Sequence, residues 1–147
     1  MTTHILFLCT GNSCRSQMAE GWARHLKGDR IAAYSAGTVA KGLNPNAVKA
    51  MREAGVDITN QTSQTLDDAL AEINAAGNEL DHVVTVCGHA HETCPMFPGK
   101  TKVTNVGFDD PPEIAKNAAT DEEAMTHYRR VRDEIKAFIE TLPGALS

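Results

Sequence analysis

Residues 5–16, Ile5-Leu6-Phe7-Leu8-Cys9-Thr10-Gly11-Asn12-Ser13-Cys14-Arg15-Ser16, decide the fold and its chemistry together. The apolar run Ile5 to Leu8 reads as a buried strand, and a helical pattern opens at Ser16 to Gln17. A thiol at the end of a strand, five intervening residues and then an arginine let the backbone curl so that its N–H groups converge on one point. The first-turn N–H groups of the helix have no intrahelical partner and form the positive end of its dipole, so an oxyanion is favoured there. The oxyanion-binding segment is thus Thr10, Gly11, Asn12, Ser13, Cys14 and Arg15. Gly11 is expected to supply the tight or left-handed backbone of a closed loop, with Asn12 tolerating it better than most residues. Arg15 adds a planar fork of donors for two oxygens. The same field acts on Cys9, whose ordinary pKa of roughly 8.5 should fall, making it a nucleophilic thiolate to which Ser16 can donate its hydroxyl proton.

Composition sets ordinary bounds. A chain of 147 residues is expected to be a single domain spanning 1–147, burying about 70% of its unfolded surface, so its core needs no covalent staples. The four cysteines therefore need not be structural disulfides. No export signal precedes the short apolar run, and no segment approaches membrane-spanning length. The expectation is a cytoplasmic monomer with reduced thiols and no membrane association. A net charge of −5 argues against nucleic acid as a partner. It does not exclude an anionic substrate, because exposed charges beyond about 8 Å are largely screened while the loop acts at contact.

Strand-like and helix-like patterns alternate along the chain. His4 to Leu8, Ile31 to Ser35, His82 to Val86 and Lys102 to Val106 are rich in Ile and Val with little charge, as strands covered on both faces require. Between them, Met18, Trp22 and Leu26 mark one helix face, and Val48, Met51 and Ala54 a second. Asn44-Pro45 starts that second helix and Gly55 stops it. A third runs from Leu66 to Ala75. The last begins near Asp121 with the stripe Met125, Tyr128, Val131, Ile135, Phe138 and Leu142. The fold class is α/β: a three-layer arrangement with a four-stranded parallel sheet flanked by helices, the site lying at the carboxyl ends of the strands.

Further chemistry lies downstream. Cys87 ends the third strand, beside the first in such a sheet, and Cys94 follows seven residues on. His89 and His91 lie between them, either depressing the thiol pKa values or simply solvated. The four residues also offer zinc-competent ligands, although their spacing is tighter than ordinary zinc knuckles. Cys14 either packs or forms an off-pathway disulfide with Cys9. Asp109 and Asp110 precede Pro111, whose ring fixes the local turn.

Cys9-x5-Arg15-Ser16 followed by Gln17 to Trp22 resembles the low-molecular-weight tyrosine phosphatase superfamily. So do Tyr34-Ser35-Ala36-Gly37, Asn44-Pro45, Thr62-Ser63, Val83 to Cys87, Cys94-Pro95 and Gly107 to Pro111. Within that superfamily the chain is most similar to the thioredoxin-coupled arsenate reductases. The resemblance implies reduction of arsenate to arsenite: Cys9 attacks the oxyanion and Asp110 protonates the leaving oxygen. Cys87 then takes Cys9 into a disulfide, Cys94 takes over Cys87, and thioredoxin restores the thiols. One cysteine cannot pair with two partners in a single rigid geometry, because a disulfide needs Cα atoms within about 7 Å. Residues 88–93 must therefore move.

The resemblance implies no tightly bound cofactor. It offers one weak metal site, for potassium, at Asn12, Glu20, Ser35 and Thr62. There Gln64 stands where a carboxylate is expected, which weakens a hard-cation site. The alternative activity is a tyrosine or small-ester phosphatase using Cys9, Arg15 and Asp110 alone. Pro112-Glu113-Ile114 lacks the tyrosines that often receive an aryl group there. A non-catalytic arsenic sensor would leave Arg15, Ser16 and Asp110 without a purpose. Residues 71–79 and 114–122 depart from the compact pattern and read as surface insertions.

Overall fold

The computed structural model describes residues 2–86 and 101–146. Cys87, Cys94, His89 and His91, and with them the mobile segment 88–93 expected above, lie outside the described residues.

Strand β1 (Thr3–Cys9) is the organising element. Ile5, Leu6, Phe7 and Leu8 are wholly buried, which a continuous apolar run achieves only in a strand covered on both faces. It pairs in parallel with β2 (Ile31–Gly37) on one side and with β3 (His82–Thr85) on the other, and β4 (Lys102–Asn105) follows β3. The order β2-β1-β3-β4 is all-parallel, the sheet expected from the alternating pattern. Strands β1 and β2 run one and two residues past their expected ends, and β3 and β4 each stop one short. The covering differs at β4: Lys102, Val103 and Asn105 are exposed, because an edge strand needs only one neighbour.

Helix α1 (Arg15–Lys27) packs on β1 and β2 and against the last long helix. Helix α2 (Pro45–Glu53) is capped by Asn44, whose side chain accepts from Asn46 N at 2.8 Å and Ala47 N at 3.4 Å. It ends at Gly55, whose φ of 86° lets Val56 N reach Met51 O at 2.9 Å, the glycine stop expected of a Schellman turn. Helix α3 (Leu66–Ala75) starts at Thr65. Its Ile73 is buried, while Ala71, Glu72 and residues 74–77 are exposed, so the segment 71–79 is mostly surface, as expected, with one side chain in the core. The short α4 (Pro111–Ile114) precedes α5 (Asp121–Ile139). Met125, Tyr128, Val131 and Ile135 of α5 are buried, whereas Phe138 is half-buried and meets Phe108 edge-on at 6.1 Å. Trp22 joins α1 to α5 through its indole N–H, which donates to Arg132 O at 3.2 Å. Among the described residues, no helix is long and apolar enough to cross a membrane.

The carboxyl ends of β1, β2, β3 and β4 thus lie along one edge, with Cys9 opposite Gly37 and Leu8 opposite Thr85. Gly37 is where this edge is tightest. A Cβ there would lie 2.4 Å from Val39 O and 2.7 Å from both Asn12 N and Thr10 O, all backbone atoms that cannot step aside. Gly37→Ala is therefore expected to lower the unfolding free energy by about 1–3 kcal/mol, measured by urea denaturation. An unchanged midpoint would mean that the edge yields without cost.

Candidate active site

The loop after β1 is shaped from outside. Its successive carbonyls are each taken by a protein donor. Cys9 O accepts from Thr38 N at 3.3 Å, Thr10 O from Val39 N at 3.0 Å, Gly11 O from Lys41 N at 2.9 Å, and Ser13 O from Asn44 N at 2.9 Å. Asn12 O accepts from Gln17 Nε2 at 3.0 Å, and Cys14 O from Met18 N at 2.9 Å. With the carbonyls turned outward, the N–H groups of Gly11 to Ser16 donate to no protein acceptor among the described residues. Buried N–H groups are rarely left so. A set of them ending at the N-terminus of α1 is an anion cradle.

Of the two loop residues expected to tolerate left-handed backbone, Gly11 and Asn12, it is Asn12 that adopts it, at φ 47°. Asn12 is fully buried and is held on every side. Its Oδ1 accepts from Gln64 N at 2.8 Å, and its Nδ2 donates to Ser16 Oγ at 2.9 Å. Those bonds offset the steric cost of a left-handed non-glycine residue. At Gly11 a Cβ would meet only the Lys41 side chain, with Cδ at 3.0 Å, which can move aside. Gln17 extends the scaffold, donating also to Thr62 O at 3.2 Å and accepting on its Oε1 from Gln61 Nε2 at 2.8 Å.

Cys9 ends β1 at the base of this loop, 5% exposed. Ser16 is fully buried and accepts from Asn12, which leaves its own hydroxyl proton free to donate. Cys14 is buried too, and burial first, then the Asp110 carboxylate, push its thiol far above the ordinary range against the pull of Arg15. It packs as a neutral thiol, the first of the two alternatives. Only its backbone N–H belongs to the cradle.

Arg15 is nearly buried and reaches across to the segment after β4. One terminal nitrogen donates to Phe108 O at 2.9 Å, and the other lies 3.7 Å from Asp110 Oδ1. Its Nε–H, also buried, meets no acceptor among the described residues. Asp110 is accordingly the carboxylate at the site. Asp109 turns the other way, to Arg130 on α5 at 2.9 Å. The arrangement joins a thiol, inward N–H donors, a guanidinium and a carboxylic acid, the parts needed to add sulfur to a tetrahedral oxyanion and protonate a departing oxygen.

The potassium candidates do not fit a cation. Glu20 Oε1 accepts from Ser35 Oγ at 2.6 Å, and its Oε2 pairs with Arg24 at 2.9 Å. Asn12 Oδ1 and Thr62 O are taken by N–H donors, and the Gln64 side-chain amide donates to Ser35 O at 3.1 Å. Burial raises the Glu20 pKa against both of its partners, a further sign of modest local charge. Among the described residues, no group of three or more His, Cys, Asp or Glu is placed to hold a metal.

Sequence reasoning missed the residues that hold the loop. Thr38, Val39, Lys41 and Asn44 act through backbone N–H groups, which carry no side-chain signature. Asn44 is further held by its Nδ2 donating to Tyr128 Oη on α5 at 3.1 Å, a link that no local pattern contains.

Comparison with known proteins agrees with this geometry. An arsenate reductase of Halalkalibacterium halodurans is 54% identical over 141 residues, covering 93% of this chain and 95% of that one. A solved arsenate reductase in a phosphate-binding state is 29% identical, with a TM-score of 0.72 over 99% of this chain and 100% of that one. Another, in an oxidised state, is 28% identical with a TM-score of 0.77 over the same shares. The family model for low molecular weight phosphotyrosine protein phosphatase matches residues 4–147. With that match spanning nearly its whole length, the chain belongs to the low molecular weight phosphotyrosine protein phosphatase family.

Proposed function

We propose that this protein reduces arsenate to arsenite through a three-cysteine relay, with electrons from a thioredoxin-type dithiol. The observation that carries the oxyanion chemistry is the set of Gly11 to Ser16 N–H groups that meet no acceptor among the described residues, beside the buried Arg15 Nε–H. Reduction rather than hydrolysis is favoured by the presence of Cys87 and Cys94 in the sequence and by relatives named arsenate reductase at 54% identity.

The steps balance as follows. Cys9 thiolate attacks arsenic held in the cradle, forming an S–As bond as an As–O bond breaks. Asp110 supplies the proton with which that oxygen leaves as water, and Arg15 neutralises charge on the remaining oxygens. Cys87 thiolate then attacks Cys9 Sγ. The S–As electron pair passes to arsenic, which leaves as arsenite, and a Cys9–Cys87 disulfide remains. Cys94 thiolate attacks Cys87 Sγ and expels Cys9 thiolate. A dithiol partner reduces the resulting Cys87–Cys94 disulfide. Phosphate shares the charge and shape of arsenate, so slow aryl-phosphate hydrolysis through Cys9, Arg15 and Asp110 accompanies this activity.

NADPH oxidation coupled to thioredoxin and its reductase is expected to show sustained arsenate-dependent turnover. Cys9→Ser should abolish it, and Cys94→Ala should cut it to a single turnover while leaving aryl-phosphate hydrolysis intact. Absence of arsenate turnover alongside retained hydrolysis would assign the chain to the phosphatases and make Cys87 and Cys94 bystanders.

The paired oxygens around Glu20 and Ser35 also bear on salts. Exchanging KCl for NaCl at equal ionic strength should leave the rate unchanged within assay error. A potassium-specific rise would mean that the Gln64 amide gives way to a cation.

A further inference from the structure

We infer that Arg130, on α5 and outside the anion cradle, is a positioning residue for the acid of the reaction: it takes Asp109 away from Arg15, so that Asp110 alone faces the reacting group. The inference rests on the functional reading above and deepens it.

The acid segment is held at both ends but not between. Where it leaves β4, Val106 N donates to Thr85 O at 2.8 Å and Phe108 N to Val86 O at 3.3 Å, with the Phe108 ring against Phe138. Where it enters α4, Asp110 O accepts from Glu113 N at 3.0 Å and Ile114 N at 3.1 Å. Two neighbouring carboxylates lie between these anchors. Asp110 is extended, at φ −89° and ψ 105°, and successive side chains of extended backbone point to opposite sides. Asp110 faces Arg15, and Asp109 faces α5 on the other side. The same two residues could turn over and present Asp109 to Arg15 instead. Arg130 opposes that exchange from the outside, gripping Asp109 Oδ2 at 2.9 Å. Glu134, one turn along α5, holds the same guanidinium at 2.7 Å and aims it.

Charge gives a second reason. The mouth of the site must admit a dianion past two carboxylates, one of which Arg130 neutralises. The pair is exposed, at 44% for the Arg130 side chain and 62% for Asp109. Such pairs are weak and screened by salt, so the effect is on which carboxylate is presented and not on stability.

The test compares wild type with Arg130→Gln, Asp109→Asn, the double variant, and the charge-swapped Arg130→Asp/Asp109→Arg. The probes are p-nitrophenyl phosphate and phenyl phosphate, together with the arsenate assay. Asp109→Asn, which removes the competing carboxylate, should keep the wild-type rate, whereas Arg130→Gln is expected to lose roughly fivefold in kcat with KM unchanged. The loss should be larger for phenyl phosphate, whose poor leaving group depends on the acid. The double variant should be no worse than either single, the swap should recover most of the rate, and high salt should narrow the gap. Unchanged kcat in Arg130→Gln, equal losses on both esters, or additive losses would each overturn the inference alone. A wild type inactive on arsenate and on both esters would overturn the functional reading, and this inference with it.

Discussion

The outward pull on the carbonyls of residues 9–14 is the constraint on which the site depends. A peptide unit has its N–H and C=O on opposite sides, so fixing where the carbonyl goes fixes where the N–H goes. Segment 38–44 supplies four of the backbone donors, Gln17 a fifth through its side chain, and Met18 a sixth. The binding surface is therefore made by residues that never touch the anion. It is rigid because each outward bond is satisfied by the fold and would be costly to leave unmade.

Arginine and aspartate complete the chemistry by competing. Arg15 donates to Phe108 O and faces Asp110, while its buried Nε–H meets no acceptor among the described residues. Its partners hold the acid segment against the cradle, and the Nε–H is a donor that a bound oxyanion can use. A second arginine, Arg130, divides the adjacent carboxylates from outside. The buried Glu20, by contrast, is consumed internally by Ser35 and Arg24, so that region is structural support for β2 and α1.

Much of this was legible in the sequence because it is local. An uninterrupted apolar tetrad ending in Cys9 fixes a central strand. Asn44-Pro45 and Gly55 bracket a helix through capping chemistry that depends on adjacent residues alone. Cys9-x5-Arg15 before a helix dictates where a thiol and an anion meet. What was not legible is equally physical. Of the two loop residues able to take left-handed backbone, Asn12 does so because Gln64 and Ser16, distant or on the next turn, hold its side chain. Residues 71–79 read as surface and are mostly exposed, but Ile73 on α3 enters a core that only the folded sheet provides.

The sequence by itself determined the element order and the placing of a strand-end thiol before a loop and helix, since strand, loop and helix propensities act over a few residues. Only the tertiary structure decided which carboxylate serves Arg15, which residue carries the strained backbone, and which donors turn the loop's N–H groups inward. Those choices are made by contacts between segments separated by 21 to 93 residues in the chain, where no local pattern records which partner a group will find.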